Sequence, residues 1–444
     1  MSETETQDLL VDALAAENYA EVRTQLAEMH PSEIADLLES ITPKQREKLW
    51  DQIEPALEGD VLTEVQDAVR SSLLEQMQPQ EVAQATKDLE TDDAADILQD
   101  LPEDVVSSVL SSMDAQNRQR LASILSYSED AAGGLMNIDV VPIRADVTLD
   151  VISRYLRQLG DIPDQTDNLM VVDRNNHYLG VLPLADILTK KAETTVAENM
   201  IEEAGIHADT PKHDVAKIFE QRDWFSAGVI DDDGKLLGRI TVDDVVDVIQ
   251  EEAEQTVRSM AGLGEDDMFS PVIRSAKRRS IWLGINLLTA FLASWVIGRF
   301  SGTIEQLVAL AVLMPIVASM GGIAGSQTLT IAIRGIALGQ ISRKNARKLM
   351  MKEVAVGIFN GMLWAAVVAA VASFWFSNSS LGFIIGLAMI INLVIAAFAG
   401  AMIPMALKRF GVDPAIAGGV ILTTVTDVVG FVTFLGLATL FLVS

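Results

Sequence analysis

Five long apolar segments follow residue 280, and they constrain the fold of this chain more than any other feature. Each is close to or above the roughly 20 residues that a helix needs to cross the hydrocarbon of a bilayer. The predicted spans run near residues 281 to 296, 304 to 333, 354 to 376, 381 to 407 and 415 to 443. Pro315, Gly321 and Gly325 interrupt the second span, which predicts a kinked or partly unwound helix there. We therefore expect an all-α, polytopic membrane domain.

Charge divides the chain near the same place. Residues 1 to 270 contain 58 acidic and 20 basic residues, whereas residues 271 to 444 contain 4 and 13. An acidic surface attracts cations and repels nucleic acid, so we expect a cation partner and no nucleic-acid partner. The alternative is a merely solvated acidic surface. Because the chain has no cysteine, a bound metal must use oxygen atoms or one of four histidines, which suits Mg²⁺.

Basic residues flank the spans almost entirely on one side. They are Arg274, Lys277, Arg278, Arg279, Arg334, Arg343, Lys344, Arg347, Lys348, Lys352, Lys408 and Arg409, while the opposite connections contain only Arg299. The positive-inside rule then predicts a multi-pass protein of the cell (inner) membrane, with the acidic domains in the cytosol and the C-terminus outside. The first residues also lack the pattern of a signal peptide.

Asp427 is the most informative carboxylate of the membrane half. It lies 12 residues into the last span, about 18 Å along a helix and near the middle of the bilayer. A carboxylate there costs about 2.5 to 3.5 kcal/mol on insertion scales, which predicts an ion or proton pathway. The alternative is an aspartate that is protonated or bonded to a neighbouring helix. Thr423 and Thr424 share its helical face and offer hydroxyl oxygens.

The other three carboxylates of this half have simpler explanations. Glu305 and Glu353 lie at predicted span ends, where water is expected to reach them. Asp413 precedes Pro414, the usual order of an N-cap followed by proline at the first helical position. An N-cap at a pore mouth can also contact ions, so Asp413 stays a candidate.

Two segments, residues 168 to 186 and 226 to 244, align without gaps at an offset of 58. Each is typical of a strand, a polar turn, a second strand and the start of a helix. The pair resembles the tandem CBS domain, an α/β module that dimerises and commonly binds small ligands. In such domains Thr-x-x-Asp often holds a nucleotide ribose, which implies ATP or another nucleotide at Thr241 and Asp244. A purely structural capping aspartate is the alternative.

The region before these repeats predicts helices. A Pro-x-Glu-Ile/Val-Ala pattern recurs at residues 31 to 35 and 79 to 83, and the apolar periodicity suggests a small helical solenoid. Four acidic residues near its helix starts are candidate metal ligands, or else cap and solvate helices: Asp92, Asp93, Asp96 and Asp100.

A second acidic group follows the repeats. Asp244, Asp247, Glu251 and Glu254 are spaced by three or four residues and form one ridge on a predicted helix, beside Asp243 and Glu252. Like charges at this spacing destabilise an isolated helix, so we expect a neutralising partner. A divalent cation is the partner that we predict, and a solvated face is the alternative.

This order of parts resembles the MgtE family of magnesium channels. Local matches occur at residues 129 to 136, 315 to 327 and 413 to 427. The resemblance implies an acidic helical N-domain (1 to 136), a first CBS unit (137 to 200), a second CBS unit (201 to 250), a connecting, plug-like helix (251 to 273) and five membrane helices (274 to 444). Ile323 departs from the family, which often has Asn there, and Pro211 and His213 occupy positions that are often acidic.

The resemblance also implies a homodimer with a pore at the subunit interface, where Asp427 of each chain faces hydrated Mg²⁺. Regulatory Mg²⁺ would bind the cytosolic acidic residues, with Asp223 as a further candidate, and close the pore. We therefore expect a magnesium channel or transporter in the lipid bilayer and not an enzyme. The alternatives are a proton- or sodium-coupled divalent cation transporter and a CBS sensor that does not transport. A primary pump is not expected, because we find no Walker-type loop.

Overall fold

The computed structural model describes residues 3–163, 165–263, 272–342 and 344–443. These residues form two compact units, one up to Glu254 and one from Gln255 onward. Part of the predicted connecting segment, residues 264–271, lies outside the described residues, as does Arg343 of the predicted basic loop.

Ten helices that share one apolar core form the first part of the N-terminal unit. They are α1 (Glu3–Ala15), α2 (Tyr19–Leu26), α3 (Pro31–Ser40), α4 (Pro43–Trp50), α5 (Glu58–Glu64), α6 (Asp67–Leu74), α7 (Pro79–Ala85), α8 (Thr91–Gln99), α9 (Glu103–Ser112) and α10 (Ala115–Ile124). Helix α3 packs on α5, α5 on α8, and α8 on α10. The prediction of an all-α N-domain is confirmed.

The recurrent Pro-x-Glu pattern marks helix starts. Both copies begin a helix with proline, α3 at Pro31 and α7 at Pro79. The glutamate of each copy accepts a hydrogen bond from the main-chain N–H of the capping residue, at 2.8 Å for Glu33 and 2.7 Å for Glu81. Proline has no N–H, and an N–H in the first turn would have no partner within the helix. The glutamate accepts a hydrogen bond from the N–H of the capping residue, which also has no partner within the helix.

Two α/β modules complete the N-terminal unit. The first contains β1 (Pro142–Arg144), α11 (Leu149–Leu159), β2 (Asn168–Val172), β3 (Tyr178–Pro183), α12 (Leu184–Thr189), α13 (Val196–Asn199) and β4 (Ile201–Glu202). The second contains β5 (Ile206–His207), α14 (Lys212–Arg222), β6 (Ser226–Ile230), β7 (Leu236–Thr241) and the start of α15 (Val242–Met260). In each sheet a parallel pair, β1 with β2 or β5 with β6, is followed by an antiparallel strand.

The structure repeats at the offset seen in the sequence. Strands β2 and β3 shift by 58 residues onto β6 and β7, and a register irregularity occurs at the same point, next to Val171 in one and Val229 in the other. In the turns, Asp173 and Asp231 each accept two main-chain N–H bonds. The main chains of the two turns pair with each other through an isolated antiparallel β-bridge between His177 and Lys235.

Helix α15 begins earlier than the boundary that we predicted for the connecting helix. It starts at Val242, directly after β7, rather than at residue 251. Its first turns belong to the second module because Val245 and Val248 are buried in that module's core. The acidic ridge therefore lies on a helix that starts inside the α/β module and ends at Met260.

Five helices of the C-terminal unit are long and apolar enough to cross a membrane, as predicted. They are α16 (Val272–Gly298), α18 (Ala309–Ala337), α19 (Ala346–Phe376), α20 (Ser379–Arg409) and α21 (Pro414–Ala438), with a short α17 (Ser301–Gln306) before α18 and a π-helical turn (Thr439–Val443) after α21. Helix α20 packs against α18, α19 and α21, and it has the largest buried share of the five.

The second span differs from the prediction. Helix α18 continues through Pro315 and the glycines, and the break lies instead at residues 307 and 308, between α17 and α18. Because Pro315 lies in the second turn of the helix, its missing donor affects one carbonyl near the helix start. Gly321 and Gly325 face side chains of α20 and α21, namely Asn392 and Leu422, so close packing holds the helix there.

Candidate functional site

Asp427 lines a cavity of about 580 Å³ between α18 and α21. Helix α21 contributes Asp427 and Thr423 to its wall. Helix α18 contributes Ala318, Ser319, Gly322, Ile323, Ser326, Gln327 and Thr330. The cavity is open rather than enclosed, so a second surface can complete it.

The contribution of α18 was missed by the sequence analysis. Ser326 follows Ser319 by seven residues, and Ser326 and Gln327 precede Thr330 by four and three, which places all four on one helical face. Ile323, whose side chain is 55% exposed, lies on the same wall. The departure at Ile323 thus puts an apolar side chain in the lining, while four other residues of this span contribute polar ones. The recurrence of those hydroxyl and amide side chains was the signal that could have shown the contribution of α18.

The two threonines next to Asp427 are not equivalent. Their hydroxyls donate to main-chain oxygens one turn back, Thr423 to Gly419 at 2.9 Å and Thr424 to Val420 at 2.7 Å. Of the two, Thr423 lines the cavity, and Thr424 is half-buried outside the described lining. The structure brings Thr423 and Asp427 together and leaves Thr424 out.

Asp413 caps the last membrane helix. Its side chain accepts a hydrogen bond of 2.8 Å from the main-chain N–H of Ala415, and Pro414 occupies the first helical position. This is the arrangement that the sequence predicted as the simpler explanation for Asp413.

Asp413→Asn should have little effect on transport, because asparagine caps helices about as well as aspartate. We expect a change of less than about twofold in Mg²⁺ flux in proteoliposomes, whereas Asp413→Ala should lower helix stability by about 1 kcal/mol. A large flux loss in Asp413→Asn with an unchanged melting temperature would instead show that the charge of Asp413 acts on ions.

Glu353 is buried, contrary to the expectation that water reaches it. Its side chain accepts hydrogen bonds from Thr328 of α18 at 3.2 Å and from Lys352 at 2.8 Å. Helix α19 starts at Ala346, eight residues before the predicted span, so Glu353 lies in its second turn against α18 rather than at its end. The basic neighbour and the hydroxyl satisfy the carboxylate.

In the N-terminal unit, an acidic cluster joins α8 to the start of α15. Burial, and then the nearby charge of Asp244, raise the pKa of Asp92 well above its usual range. Burial and the charge of Asp243 do the same for Asp244, although the N–H and hydroxyl of Thr241 donate to it. Burial and the charges of Glu90 and Asp243 raise the pKa of Asp93 to about 6. These carboxylates repel one another, which favours a bound proton or cation.

Asp96 and Asp100 differ from the cluster because Arg70 lies between them. Arg70 Nε donates to Asp100 at 2.5 Å, and Arg70 also bonds Asp67 at 2.6 Å. Loss of surrounding water raises the pKa of Asp96 to about 7 against the charge of Arg70. The side chain of Asp96 is nevertheless exposed.

The residues of the acidic ridge on α15 have different partners. Burial, and then the charges of Asp243 and Glu64, raise the pKa of Asp247, which therefore extends the cluster. Glu251 accepts a hydrogen bond from Lys212 at 3.0 Å, and Lys212 also contacts Asp130 at 3.2 Å. A lysine thus neutralises Glu251, where we had predicted a divalent cation.

The last two ridge residues also have local partners. Glu252 lies 3.3 Å from the ring of His213, and Glu254 accepts a hydrogen bond from Gln250 at 3.4 Å. The departure at His213 therefore places a basic side chain beside the ridge, and Pro211 forms the N-cap of α14. Asp223 is exposed and ends α14 in the left-handed conformation. It takes no part in the interactions described for the cluster.

Sequence reasoning missed Glu64 and Glu90 as acidic neighbours of the cluster. The charge of Glu64 raises the pKa of Asp247 and that of Glu90 raises the pKa of Asp93, and only the tertiary structure brings these residues close together. Within the described ranges, no three His, Asp or Glu side chains are already arranged to hold a metal ion. The cluster fits a divalent cation by its charge and oxygen chemistry, and binding would require its side chains to rearrange.

We expect the cluster to lose stability as pH rises. For carboxylates with a raised pKa, the folded state binds more protons than the unfolded state between about pH 4 and 7, so stability falls across that window. Hydrogen exchange in full-length protein without Mg²⁺ should show less protection in α8 and α15 at pH 7.5 than at pH 5, after correction for the intrinsic rate. Added Mg²⁺ should restore it at pH 7.5. Protection in these helices that does not change, relative to α3 as the control, would contradict the prediction.

Family models match three parts of the chain. They are the MgtE intracellular N domain at residues 29–130, the CBS domain at 132–193 and 200–251, and MgtE, described as a divalent cation transporter, at 314–437. The magnesium transporter MgtE of Bacillus subtilis is 31% identical over 76% of this chain and 75% of that protein. The chain belongs to the MgtE family. Its three matched parts follow the order that the sequence resemblance implied.

Further MgtE relatives agree. The magnesium transporter MgtE of Thermus thermophilus is 30% identical over 74% of each chain. The crystal structure of the cytosolic domain of the Mg²⁺ channel MgtE in complex with ATP matches with a TM-score of 0.50 and 29% identity, covering 54% of this chain and 98% of that one. The chain is therefore a membrane protein with cytosolic N-terminal domains, and the predicted fold class is confirmed.

Proposed function

We propose that this chain is a magnesium-selective channel or transporter that takes up Mg²⁺ down its electrochemical gradient. The observation that carries the proposal is the position of Asp427, near the middle of the last span and in a cavity whose lining includes hydroxyl and amide side chains among apolar ones. The relatives named magnesium transporter support the choice of ion.

The chemistry of the cavity suits a hydrated divalent ion. Mg²⁺ dehydrates reluctantly and usually keeps several waters when it binds protein. Six waters of about 30 Å³ each take up about 180 Å³, which a cavity of about 580 Å³ can hold. A carboxylate that contacts the ion through water attracts it without trapping it, as conduction requires.

The membrane potential can supply the driving force. Moving a divalent ion through 100 mV is worth about 4.6 kcal/mol, twice the value per unit charge. With the positive-inside orientation, which places the C-terminus outside the cell membrane, uptake then proceeds without ATP hydrolysis.

A homodimer would complete the pathway. The cavity is open, and a second copy of α18 and α21 would add another Asp427. The tandem CBS fold, which commonly dimerises, offers a second contact between copies. Crosslinking in native membranes and the mass of the purified protein test this assembly.

Regulation by Mg²⁺ is proposed for the cluster of Asp92, Asp93, Asp243, Asp244 and Asp247. Burial, and then the charges of neighbouring carboxylates, raise the pKa values of Asp92, Asp93, Asp244 and Asp247. A cation that bridges α8 and α15 would offset the cost of these charges and stabilise the closed arrangement of the two helices. Helix α15 precedes the first membrane helix in the chain. Binding of Mg²⁺ at α15 would therefore act on the membrane helices through the main chain.

Nucleotide binding at Thr241 and Asp244 is a further part of the proposal, supported by the relative solved with ATP. In this chain the Thr241 hydroxyl bonds Asp243 and Asp244, so a ribose would have to compete for these groups. Calorimetry with ATP, with Thr241→Val as the comparison, tests it.

The experiment that tests the transport proposal is flux in proteoliposomes under imposed gradients. We expect Mg²⁺ uptake that follows the Mg²⁺ gradient and the membrane potential alone. If uptake instead requires a pH or sodium gradient, the protein is a coupled divalent cation transporter. No uptake of any divalent ion would leave only a sensor role.

A further inference from the structure

Asn392 is a polar residue at the centre of the membrane-spanning unit. It lies in the middle of α20, and its side chain is fully buried. Its Nδ2 atom donates a hydrogen bond of 2.9 Å to the main-chain oxygen of Val317 in α18. Its Oδ1 atom has no hydrogen-bond partner among the described residues.

Two glycines make room for this side chain. A Cβ atom on Gly321 of α18 would meet the Asn392 amide closer than real Cβ atoms approach, and one on Gly430 of α21 would lie 2.9 Å from Nδ2. Asn392 therefore contacts both helices at positions where neither has a side chain.

The same two helices form the wall of the cavity. On α21, Gly430 follows Asp427 by three residues, and on α18 the lining residues Ala318 and Gly322 directly follow Val317 and Gly321. A shift at the contact with Asn392 would therefore move one wall of the cavity relative to the other.

Stability alone does not explain an asparagine here. A buried amide oxygen without a partner costs free energy, and no water in the hydrocarbon compensates for it. An apolar residue would avoid that cost, but only a donor can bind the Val317 carbonyl and tie α20 to α18 at this point.

We propose that Asn392 is a positioning residue of the ion pathway, which sets the width of the cavity by fixing α18 and α21 at their crossing with α20. The inference rests on the proposed function, since it requires that ions pass Asp427. A cavity of fixed width discriminates between Mg²⁺, which keeps its water shell, and Ca²⁺, which accepts more varied coordination.

The test compares Mg²⁺ and Ca²⁺ flux in proteoliposomes of the full-length chain. Asn392→Leu should lower the ratio of Mg²⁺ to Ca²⁺ flux about three- to tenfold, the scale of one lost hydrogen bond, while the melting temperature stays equal or rises. Asn286→Leu is the matched control, because the Asn286 amide lies in α16 and donates to Trp282 of its own helix at 2.9 Å. It should leave the ratio unchanged.

Gly430→Ala tests the same contact without changing the amide of Asn392. If Asn392→Leu does not fold, the flux ratio of Gly430→Ala tests the inference. Its methyl group should push α21 from Asn392 and lower the ratio, and Asn392→Ala in the same chain should restore part of it by removing the clash. A wild-type ratio in folded Gly430→Ala and Asn392→Leu overturns the inference. Loss of flux in Asp427→Asn, measured in parallel, shows separately whether the proposed pathway holds.

Discussion

Asp427→Asn should remove most Mg²⁺ transport while the protein remains folded in the membrane. At about 5 Å, the separation that a water layer imposes, a divalent ion and a carboxylate attract by about 1.7 kcal/mol in water and by more in a lower dielectric. Losing that attraction corresponds to at least about a tenfold fall in flux. Asparagine conserves the size of the side chain, so the cavity that Asp427 lines keeps its shape.

Asp413→Asn is the matched control, because it makes the same substitution in the same helix at a carboxylate that acts as an N-cap. Flux in proteoliposomes, normalised to the amount of inserted protein, gives the comparison. If Asp427→Asn transported Mg²⁺ at the wild-type rate, Asp427 would not be the ion site. Equal losses in both variants would point to a general effect of negative charge on α21.

A channel that stays open in high cytosolic Mg²⁺ is the expected result of replacing Asp92, Asp243, Asp244 and Asp247 by asparagine. The substitutions relieve the repulsion between α8 and α15, which by itself favours the closed arrangement. They also remove the charged ligands that a bridging ion needs, and neutral amides attract Mg²⁺ far less than carboxylates do. Because charge relief supplies no link between the helices, we expect ligand loss to dominate.

Patch recordings with Mg²⁺ on the cytosolic face measure this directly. The concentration for half-inhibition should rise at least about tenfold, the equivalent of about 1.4 kcal/mol of coupling. Glu251→Gln with Glu254→Gln is the control, since these two ridge residues already have Lys212 and Gln250 as partners. Unchanged inhibition in the fourfold variant would mean that the cluster is only a solvated surface, and an equal effect in the control would assign sensing to the whole ridge.

The repeated α/β modules and the helix starts were predictable because their causes are local. The main strands of each module are short apolar runs that end at a polar turn, and the turn aspartates bond N–H groups two and four residues away. The same holds for the Pro-x-Glu helix starts and for the five spans, whose length and composition meet the requirement of a bilayer. The partial unwinding predicted near Pro315 was wrong, because α18 runs through that residue without a break, while a kink there stays a prediction.

What the sequence by itself determined is thus the order of domains and the five membrane helices. It also predicts an ion pathway at Asp427, because a charge in hydrocarbon is costly. Only the tertiary structure decided which neighbours share a site. Helix rotation places Thr423 in the cavity and Thr424 outside it, and it brings Ser319 and Gln327 of α18 to the same wall. Packing also buries Glu353 against α18 and gives Glu251 a lysine. These contacts join residues far apart in the chain, and periodicity along one helix cannot specify which side meets another.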